Sequence, residues 1–174
     1  MYAKAERGER LVILGIDPGL ARMGYGVIDA GASAYKMICY GIIETKPDIP
    51  MPQRLNIIQR GVRELIALYA PEDIAFEELF FAKNVKTALM VAAARGAAVA
   101  VASEYTENLY EYTPLQIKQA IVGYGRAEKT QIQKMVKMIL KLEEIPKPDD
   151  AADGLAVAVT HANTGRSKSR FMMK

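Results

Sequence analysis

The stretch LVILGID at residues 11–17, followed by Pro18 and Gly19, decides the architecture. It is apolar until its last residue and lacks helical spacing, which predicts a short buried strand. Asp17-Pro18-Gly19 then predicts a turn. Outward from it, residues 23–29 (MGYGVID) and about 34–44 predict two more strands, and the short connections imply an antiparallel meander. A helix is expected over about 51–70, because Leu55, Ile58, Val62, Leu65 and Ile66 share one face and Pro71 sits just past its end. Residues 73–79 (DIAFEEL) predict a fourth strand, 84–104 an alanine-rich helix and 108–113 a fifth strand. Further helices are expected at about 114–122, 128–141 and 149–163. This order is an α/β pattern: a five-stranded mixed sheet flanked by helices, parallel in its strand–helix–strand part.

The 174 residues suit one domain, expected at 11–164. Residues 1–10 form an N-terminal extension. Residues 165–174, with Arg166, Lys168, Arg170 and Lys174 and no acid, are expected to be a basic, flexible tail. The net charge of +3 permits a nucleic-acid partner without requiring one. Cys39 is the only cysteine, so no internal disulfide forms and a reducing compartment fits. Residues 1–10 are polar, which predicts no secretory leader. Arg95 and Gly96 divide the apolar stretch 88–102 into pieces too short for a bilayer. A cytoplasmic protein with no membrane partner is expected.

Four acids stand where solvent does not explain them. Asp17 closes the apolar strand, and Glu77 lies inside the fourth. Asp150 and Asp153 open a helix that is otherwise almost wholly apolar. The last two are three apart and share a helix face. Carboxylates on buried elements are costly unless compensated, and a hard cation such as Mg²⁺ compensates them with oxygen ligands. Two such ions about 4 Å apart suit phosphodiester hydrolysis. Each acid also has a plainer reading: Asp17 as turn chemistry, Asp149 and Asp150 as residues favoured by a helix N-terminus. Glu77 and Glu78 are adjacent and face opposite ways in a strand, so periodicity does not choose between them. His161 returns to the stripe of Asp150 but roughly 16 Å along the axis, which favours a structural role. Lys134, Lys137 and Lys141 form a charged wedge opposite the apolar face of the 128–141 helix, as a solvated surface does. Lys129 differs, because it follows a Gly123-Tyr124-Gly125 loop carrying Arg126, which could close on a phosphate.

These residues resemble a known family. ILGIDPGLARMGYGVID (13–29), AFEELFFAKN (75–84), LQIKQAIVGYGRAEKTQIQ (115–133) and DDAADGLAVAVTHAN (149–163) resemble, in order, the motifs of RuvC-type Holliday junction resolvases. The resemblance implies a ribonuclease H-like fold and an endonuclease that resolves four-way DNA junctions by paired symmetric nicks, in recombination and repair. It implies a homodimer working beside a branch-migration complex of RuvA- and RuvB-type proteins. By position it makes Asp17, Glu77, Asp150 and Asp153 the catalytic, metal-binding acids for two Mg²⁺ ions, with Mn²⁺ able to substitute. It makes Lys118 and Lys129 supports for DNA binding or catalysis. Phe80 matches an aromatic that contacts bases near the crossover. Actin-like ATPases share the opening strand and acid, but they are about twice as long and carry a second phosphate loop. This chain has no second copy of that loop. A nuclease of the same fold acting on an RNA–DNA hybrid stays open, since fold alone does not choose a substrate.

Overall fold

The computed structural model describes residues 11–31, 34–79 and 84–174. The N-terminal extension expected at 1–10 lies outside them. Strands β1 (Leu11–Asp17), β2 (Arg22–Ala30) and β3 (Tyr35–Glu44) make the expected antiparallel meander, with Asp17 opposite Gly24 and Arg22 opposite Glu44. Helix α1 (Met51–Tyr69), strand β4 (Asp73–Glu77), helix α2 (Val85–Tyr105) and strand β5 (Leu109–Tyr112) follow. Then come α3 (Pro114–Val122), α4 (Lys129–Ile139), α5 (Asp149–Thr164) and a 3-10 helix, Gly165–Phe171. The order across the sheet is β3-β2-β1-β4-β5, with β4 parallel to both β1 and β5. The mixed five-stranded sheet read from the sequence is the one that forms.

Alternation along the strands sorts the core into two layers. Leu14, Ile16, Ile74 and Phe76 meet α1 and α2 on one face, while Ile13 and Ala75 meet α3, α4 and α5 on the other. Helix α1 buries Ile58, Val62, Leu65 and Ile66 from the predicted stripe. Each such side chain contributes roughly 1.5–3 kcal/mol by leaving water. Ala70, in the left-handed conformation, ends α1 before Pro71.

Helix α5 is buried along nearly its whole length. It reaches the sheet because glycines leave room for its backbone. A Cβ on Gly15 would stand 2.3 Å from the Gly154 carbonyl oxygen, and one on Gly24 only 1.8 Å from that of Asp150. Gly24 is the register partner of Asp17. The glycine that admits α5 therefore also sets its acidic first turn beside the end of β1.

The structure corrects three expectations. Strand β4 ends at Glu77, not at 79. Arg95 and Gly96 do not divide α2, which runs unbroken for 21 residues and is long and apolar enough, by length and composition, to cross a membrane. Arg95 is accommodated because its guanidinium reaches Glu111 at 2.7 Å. The tail expected to be flexible is instead ordered against the sheet. Lys168 Nζ lies 2.7 Å from Asp73 Oδ2, Phe171 packs on Tyr112, and the Met173 N–H donates to the Leu109 carbonyl. The sequence shows the tail's charge, but its partner Asp73 lies 95 residues away.

Candidate active site

Asp17 and Glu77 end neighbouring parallel strands, one residue beyond the Ile16–Phe76 pair. Asp17 shares the α5 face of the sheet with Gly15, and Glu77 shares it with Ala75. Helix α5 runs against both strands. Its first turn lies over Gly24, and its last turn brings His161 Nε2 to 2.8 Å from Asp73 Oδ2 at the start of β4. The acids of α5 thus gather at the carboxyl ends of β1 and β4, where open α/β sheets bind ligands.

A cavity of about 300 Å³ opens there, lined by Asp17, Glu77, Asp153, Lys118 and Lys129. Pro114, Ile117, Ile132 and Ala156 form its apolar wall. Glu78 is exposed and is not part of this lining; its N–H donates to the Tyr112 carbonyl. The strand therefore distinguishes the two glutamates where periodicity did not. Asp150 lies on the other flank of the first turn of α5 and lines a separate cavity, but its charge still reaches Asp17 and Asp153. Lys129 Nζ lies 2.8 Å from Asp153 Oδ2 and 3.8 Å from Asp149 Oδ2. Arg126 is exposed and does not line the cavity. Phe80 lies outside the described residues.

The site carries more negative charge than it can settle by itself. Burial pushes the Asp17 carboxyl up to about 8, helped by the charges of Glu77, Asp153 and Asp150 and opposed by Lys129. Burial and Asp153 push Glu77 up to about 7, while a hydrogen bond with Asp17 and the charges of Lys129 and Lys118 pull it back. Two carboxyl groups share a hydrogen bond only when one is protonated. Burial also raises Asp153, against the pull of Lys129. For Lys129 burial acts downward, but Asp153 outweighs it and keeps the ammonium charged.

As they stand, no three acidic, histidine or cysteine side chains among the described residues converge closely enough to hold a metal ion. Lys129, 2.8 Å from Asp153, is a cation already beside the acids. The donor set nevertheless fits a hard divalent cation: every candidate ligand is an oxygen, and crowding disfavours the bare anions.

His161 serves the other end of α5. It is 2% exposed, donates from Nε2 to the Asp73 carboxylate, and places Nδ1 2.7 Å from the Tyr112 hydroxyl. Asp73 is 1% exposed. Burial alone would raise its carboxyl, but bonds from His161 and Lys168 hold it below the usual range. Sequence reading assigned His161 a structural role but did not single out Asp73 or Tyr112. Nothing local distinguishes an aspartate opening a strand from one exposed in a turn.

The family model described as crossover junction endodeoxyribonuclease RuvC matches residues 13–161. The chain belongs to the RuvC family. It is 52% identical over 164 residues to the crossover junction endodeoxyribonuclease RuvC of Alkaliphilus metalliredigens, covering 94% of this chain and all of that protein. The Thermus thermophilus RuvC structure is 38% identical and superposes with a TM-score of 0.83, covering 90% of this chain and 96% of that one. The same T. thermophilus protein in complex with a Holliday junction substrate gives a TM-score of 0.85 at the same identity and coverage. The fold is accordingly the ribonuclease H-like fold of RuvC structures. Within this RuvC framework each of the four quoted motifs brings at least one charged residue to the carboxyl-end side of the sheet. β1 and β4 deliver Asp17 and Glu77, α5 delivers Asp150 and Asp153, and α3 and α4 deliver Lys118 and Lys129.

Proposed function

We propose that this chain is a metal-dependent endonuclease that resolves four-way DNA junctions by paired symmetric nicks, acting as a homodimer in recombination and repair. The observation that carries this reading is the cavity at the carboxyl ends of β1 and β4. There Asp17, Glu77 and Asp153 are crowded and partly buried, with Lys118 and Lys129 beside them. The likeness to a RuvC solved with a Holliday junction substrate supports the choice of DNA.

Asp17, Glu77, Asp150 and Asp153 would hold two Mg²⁺ ions. These would supply an activated water for in-line attack and stabilise the departing 3′ oxygen. The chain's own residues do the rest. Asp17 and Glu77 are fixed by adjacent strands, so they bring their charge together without losing side-chain freedom on binding. Lys129, kept charged by Asp153, and Lys118 offset charge that builds on the phosphate. The apolar wall of Ile117, Ile132 and Ala156 keeps water away and strengthens these interactions.

Helix α2 supports the dimer. Val85 and Leu89 are 69% and 64% exposed. With exposed Gly96 and Ala100 they form one stripe at helical spacing. Apart from its chain neighbours and the helix's own backbone, no atom among the described residues lies within 4 Å of where a Cβ on Gly96 would stand. A stripe of apolar and small residues left open on a long helix suits a second copy of that helix. Two copies give two sites for two opposing strands, as paired nicking requires. RuvA- and RuvB-type branch-migration proteins are the further partners this reading carries, in the cytoplasm, where a free Cys39 is at home.

The experiment is incubation with an immobile four-way junction, a matched duplex and an RNA–DNA hybrid, with and without Mg²⁺, each strand labelled in turn. Symmetric Mg²⁺-dependent nicks on two opposing strands of the junction alone are expected. Cleavage of the hybrid would keep the metal site and overturn the substrate.

A further inference from the structure

We infer that a second anion site, for a backbone phosphate of the DNA strand being cut, lies on the opposite flank of α5 from the acidic cavity. The inference rests on the nuclease reading above. A cavity of about 640 Å³ opens there, lined by Gly19, Leu20, Arg22, Lys46, Arg54 and Asp150 among others. Asp150 belongs both to the acidic first turn and to this second cavity. A strand crossing that turn would therefore leave one phosphate at Asp17 and Glu77 and a neighbouring one in the second cavity.

Arg54 is built to receive it. Its Nε donates to Thr45 Oγ1 at 2.8 Å, and the Thr45 hydroxyl donates in turn to the Leu20 carbonyl. Thr45 is 3% exposed, so it holds one edge of the guanidinium firmly. The two terminal nitrogens make no hydrogen bond or ion pair among the described residues. A planar fork of donors, fixed at one edge and free at the other, matches two phosphate oxygens. Arg22 and Lys46 add positive charge at the rim. Two carboxylates also line it: Asp150, assigned above to the cation, and Glu44, whose pair with Arg22 at 3.6 Å is more than half exposed on both sides and binds Arg22 only weakly. Leu20, Met90 and Val91 give an apolar floor for a sugar. Arg54 is thus a positioning residue: it fixes the register of the strand over the acids without touching the bond that breaks.

The test is binding of the full chain to a four-way junction with Ca²⁺ in place of Mg²⁺. It uses a series of junctions that each carry one neutral methylphosphonate beside the cleaved bond. Arg54→Gln is expected to bind the unmodified junction roughly tenfold more weakly, the loss of one charge-assisted contact. Its salt dependence should fall by about one phosphate. At one position the methylphosphonate should cost the wild type the same factor and cost Arg54→Gln nothing more. If every methylphosphonate weakens the variant as much as the wild type, Arg54 contacts no phosphate and the site is wrong. Should Arg54→Gln fail to fold, as read by its melting, Arg22→Gln and Lys46→Gln carry the same cycle at exposed positions. Junction cleavage by the wild type in Mg²⁺ is scored separately, so a failure of the nuclease reading is not mistaken for a failure of this one.

Discussion

Changing Asp17 to asparagine keeps its shape and removes its charge, which separates cutting from binding. The carboxylate ends β1 beside Glu77 and within electrostatic reach of Asp150 and Asp153, so an amide there withdraws one ligand from the proposed cation site. Asp17→Asn should lower junction cleavage by at least ~10³-fold while junction binding, read by gel shift, persists. Retained cleavage would sink the metal-site assignment. Lys129→Met removes the ammonium 2.8 Å from Asp153 and should slow the cleavage step about a hundredfold under single turnover, with Lys129→Arg partly restoring it. His161 gives the opposite pattern. Its replacement by leucine takes from the buried Asp73 carboxylate one of its two hydrogen-bond donors and should cost roughly 3 kcal/mol in urea denaturation. Cutting at a temperature where the fold survives should be unchanged. These residues also mark how far the sequence could be read. Asp17 and Asp153 stood out because they interrupt apolar elements, and both line the acidic cavity; Asp150, expected to share a face with Asp153, lines a separate cavity on the other flank of α5. Glu77 was legible only as one of two neighbours, because the choice depends on where β4 ends. Asp73 was not legible, since its partners His161 and Lys168 come from residues far along the chain.

Elements were easier to read than pairings, because the periods of strand and helix are local while partners are not. The stripe of α1 and the almost wholly apolar run of α5 declared themselves in the order of side chains. Helix α2 was harder: its alanines suit packing on a sheet and packing on another copy equally. The structure separates the two, since Ala94, Ala98, Val101 and Ala102 face the core while Val85, Leu89, Gly96 and Ala100 do not. Leu89→Arg would place a charge in the middle of that open stripe without touching the core. It should shift the chain from dimer to monomer in sedimentation velocity at micromolar concentration. Melting of the monomer should change little, because Leu89 is already 64% exposed. Junction binding should weaken, and nicks on the two opposing strands should lose their pairing. A dimer that survives Leu89→Arg and a matching change at Gly96 would move the interface off α2.

The whole molecule holds two acidic centres with opposite responses to pH, one at each end of α5. Asp73 is held below its ordinary value by His161 and Lys168. Its stabilisation is present above the unfolded value of 3.8 and is lost only as the pH falls through its lower folded value. Asp17 and Glu77 are raised, to about 8 and about 7 from 3.8 and 4.5. Without a cation, the folded chain keeps protons there that the unfolded chain would release. Their contribution is therefore fully present below the unfolded values and is lost as the pH rises through the folded ones. In EDTA the melting temperature should fall as the pH rises from about 4 to about 8, the window those values span. Mg²⁺ binds the deprotonated carboxylates of the folded state, so it should raise the melting temperature more at pH 8.5 than at pH 5 and flatten the slope. Asp17→Asn should melt higher than the wild type in EDTA at pH 8.5, by a few degrees at about 2–4 °C per kcal/mol. It should also gain less from Mg²⁺. A wild-type melting temperature that stays level or climbs across that window in EDTA would mean that the crowded acids are not held protonated. The strain that the cation is proposed to relieve would then be absent.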